Sequence, residues 1–158
     1  MAPLVPGMDN GYLASKGEAS PPPRDSVWNM SQQNVAVARR WVELFNGRDD
    51  VDEFLSLHDP EVVLQTPGGP RLRGHDQVRD WFEAGYENAQ PRILPERFVA
   101  GGDIVVGLGR IELRWIESGE VAHEGESAGA YWFRDGKIIR WQPFETHAAA
   151  LEETGLVE

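Results

Sequence analysis

Three carboxylates stand on long runs rich in β-branched residues: Glu112 within residues 104–116, and Glu124 and Glu126 within residues 121–133. A carboxylate that a strand turns into an apolar pocket loses hydration, so its pKa rises and it suits acid–base work. Turned the other way it faces water, because successive strand positions point to opposite faces. Arg140, on the last strand-like run, raises the matching question of a partner. A guanidinium taken out of water must be paired, and Glu126 or Glu112 has the required charge. Such a pair would either anchor a ligand carbonyl or carboxylate, or serve as a structural ion pair; both readings stand.

The other reactive side chains point to less chemistry. No two of the four histidines (His58, His75, His123, His147) are spaced as metal ligands on one helix face, so no metal site is expected. His75-Asp76 reads as a helix cap, and His58 as the end of a helix before Asp59-Pro60. His147, just past the last strand, either rims a pocket as an acid–base group or is a solvated residue at a helix start. With no cysteine in the chain, thiolate nucleophiles, thiolate metal sites and disulfides are excluded. Gly107 and Gly109 lie inside a strand pattern with no helix following, so they form no phosphate-cradling loop. No cofactor is expected.

The elements that would position these groups follow from periodicity. Val37, Ala38, Trp41, Val42, Leu44 and Phe45 recur at helical spacing, and Asn46-Gly47 ends that helix. Asp50 and Glu53 resemble a capping box for a short helix that Pro60 stops. Residues 61–66 read as a strand closed by the Pro67-Gly68-Gly69-Pro70 turn, and residues 74–88 as a third helix. Strand patterns then cover residues 92–100, 104–116, 121–133 and 137–146, with Gly101-Gly102, Ser118-Gly119 and Asp135-Gly136 as turns. A short terminal helix is predicted over 148–153. Helices first and hairpin-linked strands after argue an α+β domain, a curved antiparallel sheet with helices on one face.

Residues 1–30 hold five of the eleven prolines and show no apolar periodicity; they read as a disordered tail ahead of a folded domain over 31–156, with Met30 as a candidate natural start. The formal charge of −11 repels phosphate backbones and anionic membranes, and no basic patch offsets it, so neither nucleic acid nor membrane is an expected partner. With no membrane-length apolar run and no signal-like N-terminus, a cytoplasmic protein is expected.

Three stretches carry a family resemblance: ARRWVELFNG at 38–47; LHDPEVV at 57–63 with RLRGHDQV at 71–78; and RDGKIIRW at 134–141 with ALEETGL at 150–156. In order and spacing they resemble the nuclear transport factor 2-like superfamily, particularly its SnoaL-like and ketosteroid-isomerase-like branches. The resemblance implies a cone-shaped domain, often dimeric, whose three N-terminal helices and sheet enclose a pocket for a small apolar molecule. It also implies a carboxylate base on the first strand and a tyrosine donor on the first helix. Those positions fall here on Leu64 or Gln65, neither of which can accept a proton at useful pH, and on Trp41, whose indole N–H can donate a hydrogen bond but cannot titrate; Trp41, Tyr86 or Arg140 would be the donor. A SnoaL-like cyclase would place its acid–base carboxylate at Glu112, Glu124 or Glu126.

The same matching puts Ile138, Arg140, Gln142 and Phe144 on the pocket face, joined there by Trp41, Phe45, Leu64, Trp81, Tyr86 and Tyr131. Trp132 and Trp141 then mark an outer face for a homodimer. The function implied is binding of a polycyclic, polyketide- or terpenoid-like molecule, with isomerisation, cyclisation or hydrolysis as the chemistry if there is any. The alternative is a non-catalytic dimeric ligand-binding or protein-interaction module. An inward acid touching a donor across an open cavity would favour the enzyme. A pocket filled by its own aromatics, with no inward acid, would favour the module.

Overall fold

The computed structural model describes residues 24–158. Helix α1 (Arg24–Gly47) buries Ala38, Trp41, Val42, Leu44 and Phe45, the stripe read from the sequence, against a sheet. It begins at Arg24, so residues 24–30 are helical rather than part of the expected tail, whose remainder lies outside the described residues. Met30 is exposed. Helix α2 (Val51–Ser56) is capped by Asp50, whose carboxylate accepts from the Glu53 N–H at 3.0 Å. The reciprocal half of a capping box is missing because the Glu53 carboxylate binds Arg40 at 2.6 Å instead. Helix α3 (Gly74–Ala84) buries Val78 and Phe82.

The strands are β1 (His58–Gln65), β2 (Arg71–Arg73), β3 (Ala89–Gly101), β4 (Ile104–Trp115), β5 (Val121–Arg134) and β6 (Lys137–Phe144). They form one open, curved sheet in the order β2-β1-β6-β5-β4-β3, antiparallel throughout except for the parallel β1–β6 pair. Helices α1, α2 and α3 share a core with Val105 of β4, Tyr131 and Phe133 of β5, and Ile138 and Trp141 of β6. A fourth helix, α4 (His147–Thr154), is capped by Thr146 and ends at Gly155 in the left-handed conformation (φ 75°). It packs on the opposite face, over Val106, Leu108, Ala128 and Ala130.

Two irregularities decide which side chains reach which face. On β6, Trp141 pairs with Tyr131 and Arg140 with Trp132, but Ile138 pairs with Phe133, so Ile139 is an extra residue. Both Ile138 and Trp141 therefore turn towards α1, while Arg140 and Gln142 turn away from it. This reverses the orientation expected for Arg140, Gln142 and Trp141, because simple alternation assumes no bulge. On the β3–β4 pair the register shifts between Pro95 and Arg97, opposite Gly109. A Cβ at Gly109 would sit 2.1 Å from the Leu94 carbonyl oxygen, so only glycine lets the two backbones approach this closely.

Candidate functional site

On the α1 face, Val42 and Phe45 of α1, Phe98 of β3, Gly129 and Tyr131 of β5 and Trp141 of β6 surround an apolar throat of about 30 Å³. That suits about one water molecule, whereas sites for drug-sized ligands run to several hundred Å³. Aromatic rings occupy the rest of the interior. Trp41 stacks on Phe45 at 5.2 Å, meets Tyr131 edge-on at 5.5 Å and lies 4.7 Å from Trp141. Instead of lining a wide hollow, Trp41, Phe45 and Leu64 fill it.

Two polar heads face this throat. Trp141 is 2% exposed; its Nε1–H completes no well-aligned hydrogen bond, although it lies near enough to the Tyr131 hydroxyl to favour the phenolate. Gly129 keeps that donor approachable, since a Cβ there would lie 3.0 Å from Nε1. Burial holds the Tyr131 hydroxyl far above the usual phenol range, and the neighbouring Trp141 indole partly opposes the shift. The phenol therefore stays neutral and able to donate.

The indole of Trp41, where the family resemblance puts a donor, is already engaged. Its Nε1–H donates to His58 Nε2 at 2.9 Å, and the other ring nitrogen, Nδ1, lies 2.8 Å from the Phe54 carbonyl oxygen. These partners assign the proton to Nδ1, which donates to that carbonyl. Burial pushes the His58 pKa down to about 4, so the ring is neutral at pH 7. At the base position, Leu64 is packed in the core and the Gln65 amide donates to the Thr66 and Gly69 carbonyls, bracing the turn.

Pro67, Ile111, Ser127 and Pro143 line both the throat and a wider mouth of about 560 Å³, whose rim carries Gln65, His123, Glu126 and Glu145. The three candidate glutamates do not meet in the throat. Strand alternation aligns them with Val106, Leu108 and Ala128, on the face of α4. Glu112 accepts from Arg114 at 3.0 Å and Glu124 from Arg110 at 3.3 Å, while Glu126 accepts the His147 backbone N–H at 2.6 Å and so holds the first turn of α4. None is paired with Arg140, whose guanidinium lies 4.1 Å from the Trp132 ring centroid on the outer face.

The other expected lining residues also disperse. Phe144 packs with the α4 cluster and reaches only the mouth. Trp81 and Tyr86 help to box Arg48, whose guanidinium carbon lies 4.3 and 4.5 Å from their rings and whose Nη1 donates to the Phe82 carbonyl at 3.0 Å. His147 does start a helix, but its Nε2 is tied to the Gly109 carbonyl at 2.9 Å rather than solvated. His75 caps nothing; its Nε2 lies 3.0 Å from the His58 carbonyl oxygen. Among the described residues no helix is long and apolar enough to cross a membrane, and no cluster of three metal-ligating side chains forms.

Solved structures with this architecture include a protein of unknown function, called NTF2-like, from Burkholderia pseudomallei. It is 21% identical over 76% of this chain and 95% of its own, with a TM-score of 0.62. A putative polyketide cyclase from Xanthomonas campestris is 17% identical over 78% and 97% of the two chains, with a TM-score of 0.59. TerC, co-crystallised with polyporic acid, is 24% identical over 76% and 96%, with a TM-score of 0.59. At these identities the likeness is one of fold. No curated protein matches the sequence. The SnoaL-like domain, however, matches residues 38–141, from the apolar face of α1 into β6, and the chain belongs to that family.

Proposed function

We propose that the protein is a non-catalytic binding module for a small apolar molecule carrying one accepting oxygen, a carbonyl or an ether. The observation that carries this reading is the buried Trp141 Nε1–H, which completes no well-aligned hydrogen bond, beside the neutral Tyr131 hydroxyl in an otherwise apolar throat. A buried unpaired donor costs about 1–3 kcal/mol, which an accepting ligand atom recovers. The throat is wide enough for one such atom, so the body of the ligand lies in the mouth, against Pro67, Ile111 and Phe144. The position of the glutamates supports binding over catalysis. A proton transfer needs a base within hydrogen-bond reach of the reacting group; Glu112 and Glu124 engage arginines away from the throat, and Glu126, on the rim of the mouth, is held by the His147 N–H.

1-Tetralone, a small neutral ketone, and chroman, the corresponding ether, are suitable probes. Calorimetric titration should give saturable binding of at least one of them below about 1 mM. Trp141→Phe, which keeps the ring and removes the donor, should weaken that binding roughly tenfold or more while leaving the fold as stable or slightly more so. Equal affinity in the variant would refute the assignment, as would no binding of either probe.

A further inference from the structure

The face of the sheet turned away from α1 carries a second feature. Register places Arg73 of β2, Val63 of β1, Arg140 of β6 and Trp132 of β5 in one row across four neighbouring strands. In the next row Arg71 lies opposite Gln65. These residues line an open groove of about 680 Å³. Among the described residues, Arg40, Arg79, Arg97, Arg110, Arg114 and Arg134 each sit within ion-pair distance of a carboxylate. Arg71, Arg73 and Arg140 do not, although the chain bears a net charge of −11. Their polar contacts are with neutral groups: Arg71 Nε donates to Gln65 Oε1 at 3.2 Å, and Arg140 Nη2 to Gln142 Oε1 at 2.5 Å. The one acid on the rim, Glu61, is taken by Arg134 at 3.0 Å.

We propose that this groove is a binding site for a small planar organic dianion, an aromatic dicarboxylate, separate from the throat. Three like charges on adjacent strands repel one another, and the one acid on the rim, Glu61, is engaged by Arg134 instead of by any of the three. Arg73 and Arg140 stand two strand spacings apart, about 10 Å between backbones, with Val63 as a low apolar floor between them. Two guanidinium side chains on either side of such a floor match two carboxylates on one ring, each taken in the bidentate manner arginine favours. The Arg140 guanidinium lies 4.1 Å from the Trp132 ring centroid and donates to Gln142, so it is oriented before any ligand arrives.

Isophthalate at low ionic strength is the probe, followed by calorimetry. Expected are saturable binding that weakens as salt rises, no binding of the neutral isophthalamide, and at least a tenfold loss in Arg140→Gln and in Arg73→Gln. Arg92→Gln removes an equal charge from the exposed face of β3 and should change the affinity less than twofold. Trp141→Phe should also leave isophthalate binding intact, which separates this site from the throat reading. The proposal is overturned if no saturation is reached by about 10 mM, or if Arg92→Gln weakens binding as much as Arg140→Gln. It is also overturned if sedimentation shows a dimer that Arg140→Glu dissociates, since the groove would then be covered by a second copy.

Discussion

Two indole N–H groups at the centre of this fold have opposite fates: Trp41 donates to His58, while Trp141 completes no well-aligned hydrogen bond. The first arrangement has a measurable cost in acid. His58 is neutral and buried, with a pKa near 4 in place of the ordinary 6.5. The unfolded chain therefore takes up a proton first as pH falls. Stability from this group is complete above pH 6.5 and is lost progressively down to about pH 4. If the whole shift is realised, the loss approaches about 3 kcal/mol. Asp59 and Glu53, held below the usual carboxylate range by a backbone hydrogen bond and Arg134 and by Arg40 respectively, lose their contributions only at lower pH. The interval from pH 6.5 to 5 thus reports on His58. Urea unfolding at intervals across it should show a falling free energy, and His58→Gln, which still accepts from Trp41 but does not titrate, should flatten that slope. An unchanged slope in the variant would assign the acid sensitivity elsewhere.

At the level of single elements, helices were more legible than strand faces. The α1 stripe, the Asp50 cap and the Gly155 stop each rest on local chemistry that a short window of sequence contains. Strand faces depend on pairing register, which is a property of two chains at once. One extra residue at Ile139 moved Trp141 into the core and Arg140 out of it, and the throat donor went unrecognised for that reason. The local sign was present: Ile138-Ile139 are adjacent apolar residues in a run that otherwise alternates, the pattern a bulge produces. Gly109 marks the other irregularity. Gly109→Ala would force a methyl group against the Leu94 carbonyl, the Pro95 Cα and the Glu96 nitrogen, all of them backbone. A loss of about 3 kcal/mol or more is expected by urea denaturation. Gly107→Ala should cost clearly less, because its Cβ meets the Phe98 ring at 3.0 Å and a side chain can turn aside. Similar losses for the two would mean that the bulge is not held by this contact.

At the scale of the whole molecule, the sheet separates two cores with different tasks. The larger one, under α1, α2 and α3, contains the throat; the smaller one lies under α4 and contains Val106, Leu108, Ala128 and Ala130. The sequence order of helices then strands indicated the first core, but not that α4 would cross to the other face, because nothing local to residues 148–153 states which face is free. That crossing explains why the candidate glutamates are occupied. Glu126 anchors the start of α4 through the His147 N–H, and Arg97 and Glu158 pair across its far end. If the two cores are mechanically separate, ending the chain at Thr146 should expose the smaller one without dismantling the larger. Ala150, Leu151 and Leu156 would no longer cover the sheet, a loss of about 3 kcal/mol in unfolding free energy with a greater tendency to self-associate. Binding at the throat should survive, since the Tyr131 and Trp141 side chains pack on the face opposite α4 and only Phe144, at the mouth, loses its backing there. Loss of probe binding at temperatures where the shortened chain is still folded by circular dichroism would show that the sheet transmits α4 packing to the throat, and that the two faces act as one unit.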